Sequence, residues 1–110
     1  MKRLIPFAAL LVCLTSGAAT HADFVKATPE QRCKMLSEYA SDVAIVRDLG
    51  MPLKEVKETN GEKYRNNILM AHDMAAEMIY RNSDVSPENS TVYVYNGCMQ
   101  GLEDVRSARP

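Results

Sequence analysis

Residues 86–105 read SPENSTVYVYNGCMQGLEDV, and the class of the fold turns on the middle of that stretch. Thr91-Val92-Tyr93-Val94-Tyr95 has the composition of a strand, yet Val92, Tyr95, Cys98, Met99, Leu102 and Val105 recur at the spacing of one helical face. A lone strand would have no partner, because nothing else beyond residue 22 alternates over five residues. Ser86 and Pro87 supply an N-cap and a first-turn proline. The spacing therefore predicts a helix from Pro87 to about Val105, and with it an all-α class.

Upstream, Thr28-Pro29-Glu30-Gln31 has the pattern of a capping box with proline at the first helical position. From there Cys33, Leu36, Tyr39, Ala40, Val43, Ala44 and Val46 share one arc, which predicts a helix from Pro29 to Leu49 ended by Gly50 and Pro52. Residues 23 to 27 read as a short tail. Residues 52 to 58 carry only Leu53 and Val56 as anchors and fit a short helix or a single turn. Asn60-Gly61 reads as a breaker, after which Tyr64, Ile68, Ala71, Ala75 and Ile79 predict a helix from about Glu62 to Tyr80. The expectation is a small helical bundle of three long helices and one short one.

The amino end carries Lys2 and Arg3, an apolar run from Leu4 through Leu14, and small residues ending at Ala22. That order is the pattern of a secretory signal, and the run is shorter than the roughly 20 residues a membrane-spanning helix needs. The reading divides the chain into a signal peptide, 1–22, and a single helical domain, 23–110, with cleavage after Ala19 as the alternative. Cys13 leaves with the signal. Cys33 and Cys98 remain as an even pair in a compartment that permits oxidation, so they are expected to form a disulfide joining the first and last helices. Closing 65 residues of chain would stabilise the domain by about 4 kcal/mol on the loop-entropy model.

Of the 13 basic and 14 acidic residues, Lys2 and Arg3 go with the signal, leaving 11 against 14 and a net charge of −3. A mixed, mildly acidic surface argues against nucleic acid as the partner. His72, alone beyond the signal, lacks the neighbours of a metal site or a catalytic pair and reads as a histidine at the edge of an apolar arc. Met70, Met74 and Met78 recur every four residues; a Cu(I) site is the sharper reading, and flexible core or an adaptable contact surface the better one. Arg47 interrupts the apolar arc of its helix, as an anchor for an acidic partner or as an internally paired, dipole-favouring residue. Tyr80 and Tyr93 are further contact candidates. Glu55, Glu58 and Glu62 read as a solvated face, and Asn89-Ser90-Thr91 as a helix start that incidentally matches a glycosylation triplet.

The stretches Gln31-Arg32-Cys33-Lys34-Met35-Leu36, Val46-Arg47-Asp48-Leu49-Gly50-Met51-Pro52, Ile79-Tyr80 and Tyr95-Asn96-Gly97-Cys98 resemble those of small secreted or periplasmic proteobacterial proteins with one paired-cysteine helical domain. The resemblance implies export and a stapled bundle, and carries no activity with it. In architecture the chain is also similar to two periplasmic groups, immunity proteins that neutralise secreted toxins and acid-stress chaperones. The expected function is a non-enzymatic, protein-binding or inhibitory module of the periplasm or exterior, without a cofactor or stable membrane insertion. An acid-stress chaperone is the alternative, and a small hydrolase using surface carboxylates ranks below it.

Overall fold

The structure, a computed structural model, describes residues 19–108. Most of the expected signal segment, residues 1–18 with Cys13, lies outside the described residues. Within them are five helices and no strand: α1 (His21–Lys26), α2 (Pro29–Asp48), α3 (Leu53–Lys63), α4 (Asn66–Arg81) and α5 (Pro87–Ser107). Residues 91 to 95 are helical within α5 despite their strand-like composition. Val94 explains why: it is 3% exposed and joins the core, a burial that overrides the local preference of a β-branched residue.

Three helix boundaries follow from local chemistry. Gln31 N–H donates to Thr28 Oγ1 at 3.2 Å while Gln31 Oε1 accepts from Thr28 N–H at 2.9 Å, which starts α2 with two orphan donors satisfied. At its other end Gly50 has φ +101, a region other residues enter at a cost. Gly50 N–H donates to Arg47 O at 3.0 Å and Met51 N–H to Val46 O at 2.9 Å, the paired bonds of a Schellman motif whose Met51 and Val46 side chains are both buried. Ser86 caps α5 by accepting from Asn89 N–H at 3.1 Å.

Three expectations give way. Residues 23 to 27 are not a loose tail, since α1 covers most of them and buries Phe24. Asn60-Gly61 does not break the chain, and α3 continues through both to Lys63. Asn60 is 1% exposed, with its side chain bonded to Tyr39 on α2 and Asp73 on α4. These tertiary bonds outweigh the helix-breaking tendency of Asn-Gly. The break falls instead at Tyr64 and Arg65, both extended, followed by Asn66 at φ 57, a left-handed conformation that asparagine tolerates. The helix expected from Glu62 therefore starts at Asn66, and five helices replace the expected four.

α2 packs most extensively on α5, and also on α4; α3 covers α4. The α2–α5 pair is antiparallel, tied by the Cys33–Cys98 disulfide with Cα atoms 5.5 Å apart and, near the α5 end, by the Arg106–Glu30 ion pair. Lys57 Nζ lies 2.8 Å from Glu77 Oε1, and Asn60 meets Asp73, so α3 and α4 are antiparallel as well. Ala40, Ala44, Ala75 and Ala76 are all buried within the central cluster, and their small size lets the helices approach around Val43, Val46, Val56 and Ile79. Each of those branched side chains contributes roughly 2 kcal/mol by leaving water.

Candidate functional site

His72 is not a boundary residue. It is fully buried, because the extended backbone at Tyr64 turns that ring inward and α1 places Phe24 on the same spot. Tyr64 stacks on the imidazole at a centroid distance of 3.7 Å and an angle of 16°. Tyr39 and Phe24 meet it edge-on at 4.6 Å and 4.7 Å. Nδ1 lies 2.7 Å from the carbonyl of Ile68, so the neutral ring carries its proton there and donates it, and Nε2 has no hydrogen-bond partner. Removal from water pushes the imidazole pKa down to about 4, only partly countered by the Ile68 carbonyl.

The cage is braced by a polar relay. Tyr39 Oη donates to Asn60 Oδ1 at 2.7 Å, and Asn60 Nδ2 donates to Asp73 Oδ1 at 3.0 Å, joining α2, α3 and α4 through side chains. Burial raises the pKa of the Tyr39 phenol far above its usual value and that of Tyr64 to about 12, so both remain neutral donors at physiological pH. Beside the cage a cleft of about 280 Å³ opens between α1, α2, α4 and α5, walled mainly by Phe24, Leu36, Ile68, Leu102 and the disulfide. Arg32 stands at this cleft with Nε donating to Phe24 O at 2.6 Å and Nη2 to Val25 O at 3.1 Å, which fastens α1 to α2.

Arg47 lies at the opposite end of α2 with its side chain 7% exposed. Its Nη1 donates to Ile79 O at 2.8 Å and Asn82 O at 3.2 Å, and its Nη2 to Val85 O at 2.6 Å. One guanidinium thus satisfies carbonyls at the end of α4 and in the α4–α5 loop, where a cation also favours the helix dipole. Exposed Asp48 completes the arrangement at 2.9 Å. Tyr80 sits at the same end, half-buried, its hydroxyl bonded to the carbonyl of Met51 and its pKa raised to about 12 by burial.

The remaining candidates are Met70, Met74 and Met78 on α4 and Tyr93 on α5. Met70 and Met74 stand one turn apart on α4, 59% and 58% exposed. Met78, partly buried, brings its terminal methyl to 3.8 Å from the place where Gly97 would carry a Cβ, so it lies against α5. Tyr93 is 40% exposed on α5. Among the described residues no three His, Cys, Asp or Glu side chains gather as a metal site.

Sequence reasoning missed the cage because its four rings come from α1, α2, the α3–α4 break and α4, and no spacing within one helix brings them together. The available signal was Tyr64 on the apolar arc and His72 at the edge of that arc, eight residues apart. Comparison of the chain with models of known protein families, with curated proteins and with solved structures finds no match in any of the three.

Proposed function

We propose that the chain is exported and works as a non-enzymatic module that binds another protein, with Met70 and Met74 at the centre of the contact. The observation that carries this reading is the exposure of those two flexible thioethers on one outward stripe of α4, while the opposite side of the helix is buried at Ala75, Ala76 and Ile79. Methionine adapts its shape to a partner surface at low cost, and burying two such side chains supplies several kcal/mol of association. Export is supported by the charged, apolar and small-residue order at the amino end, and by the Cys33–Cys98 disulfide. Among the described residues no helix is long and apolar enough to cross a membrane.

The test is capture of partners by the exported protein, compared with the double variant Met70→Glu/Met74→Glu. Both side chains are exposed, so the variant should melt within a few degrees of the parent and lose the captured partner. An unchanged set of partners would remove the methionine stripe from the contact. The acid-stress chaperone reading is favoured by a different observation, the buried neutral His72, whose cage weakens on acidification. Partner capture that appears only at low pH would select that reading.

A further inference from the structure

We propose, resting on the export reading above, that the leader is removed between Ala19 and Thr20, and that Thr20, His21 and Ala22 belong to the folded protein. Thr20 is the N-cap of α1: its Oγ1 accepts from Asp23 N–H at 3.1 Å and its N–H donates to Asp23 Oδ2 at 2.9 Å. Thr20 O accepts from Phe24 N–H at 3.2 Å, and His21 Nδ1 accepts from Arg65 N–H at 3.3 Å, fixing α1 to the break between α3 and α4. A cut after Ala22 discards all four bonds and leaves Phe24, buried in the His72 cage, as the second residue of the chain.

The chemistry of the cut agrees with the fold. A leader peptidase needs small residues one and three positions before the scissile bond. A cut after Ala19 places Ala19 and Gly17 there, whereas a cut after Ala22 places Ala22 and the β-branched Thr20 there. Proteases also bind their substrates extended. Thr20 is extended at φ −83 and ψ 167, but the Ala22–Asp23 bond lies inside α1. Hydrolysis breaks the amide bond between the Ala19 carbonyl carbon and the Thr20 nitrogen: the oxygen of water goes to the carbonyl carbon, giving the leader carboxylate, and both of its protons end on the departing nitrogen, giving the Thr20 ammonium.

The new ammonium of Thr20 then sits where its N–H already meets Asp23 Oδ2, and an amide-to-carboxylate hydrogen bond becomes an ion pair. Asp23 also offsets the positive end of the helix dipole there. The cut takes away the Ala19 carbonyl that accepts from Tyr64 Oη at 2.8 Å, and that hydroxyl turns to water.

Expression of the full chain with a carboxy-terminal tag, followed by intact mass and amino-terminal sequencing of the exported product, decides the matter. A product beginning at Thr20 is expected. A product beginning at Asp23 overturns this site and leaves the export reading intact, whereas an exportless, uncut chain overturns the export reading and this site with it. Variants give a second measure: Ala19→Leu should reduce processing at least tenfold, and Ala22→Leu, at an exposed position of α1, should leave its rate and site unchanged. The reverse pattern overturns the proposal.

Discussion

Acidification should destabilise the fold through His72 in a window that its carboxylates barely touch. The imidazole is enclosed by Tyr64, Tyr39 and Phe24 and stays neutral in the folded protein down to about pH 4, while in the unfolded chain it takes up a proton near pH 6.5. Between those values the unfolded state binds more protons, so stability is fully present above pH 6.5 and is lost as pH falls towards 4. A difference of 2.5 pH units corresponds to about 3 kcal/mol at the limit, of which about 2 kcal/mol falls between pH 7 and pH 5. Asp23, Glu30 and Glu77, held below the usual carboxylate range by their hydrogen-bond partners, weaken the fold only at lower pH. Asp42, raised by burial, acts with the opposite sign at the acidic end. Urea unfolding at pH 7, 6 and 5 reads the effect as a fall in midpoint of about 1–2 M. His72→Phe, an aromatic of similar shape without a titrating nitrogen, should flatten that dependence. A parent midpoint constant from pH 7 to 5, or an equal slope in His72→Phe, would refute the reasoning.

Two further outcomes follow from contacts at the two ends of α2. Arg47→Met should cost about 2–3 kcal/mol by urea unfolding, because the carbonyls of Ile79, Asn82 and Val85 lose a charged donor; Arg47→Lys should recover part of it, since an ammonium cannot fork to all three. A change below 0.5 kcal/mol in Arg47→Met would show that water replaces the guanidinium freely. Replacing Cys33 and Cys98 together with Ser should lower stability by about 4 kcal/mol, the value for a 65-residue loop. Titration of the denatured parent should find no reactive thiol from this pair, and two thiols per chain would contradict the disulfide.

What was legible in the sequence is what one helix decides for itself. Thr28 and Gln31 form their box and Gly50 ends its helix because those bonds close within a few residues, where spacing and residue type suffice. The cysteine pair was legible for another reason: two thiols on apolar arcs of the first and last long helices leave few alternatives. The helical state of residues 91 to 95 was legible only because the apolar pattern extended well beyond them, to Leu102 and Val105. Propensity alone favoured a strand.

The misread positions are those whose side chains are satisfied by a distant partner. Asn60 has the local chemistry of a turn, and in isolation its amide would compete with the helix backbone. In the folded chain that amide is occupied on one side by the Tyr39 hydroxyl and on the other by Asp73, so α3 runs through it and the turn moves to Tyr64. The displaced break is what extends the chain at Tyr64 and brings its ring onto His72, and α1 then folds back to close the cage with Phe24. A histidine that reads as peripheral from its own helix thus becomes the most enclosed polar side chain of this region through one asparagine on another. The cage and the α3–α4 break are one structural event, and the Asn60 relay is the place where a single substitution would disturb both.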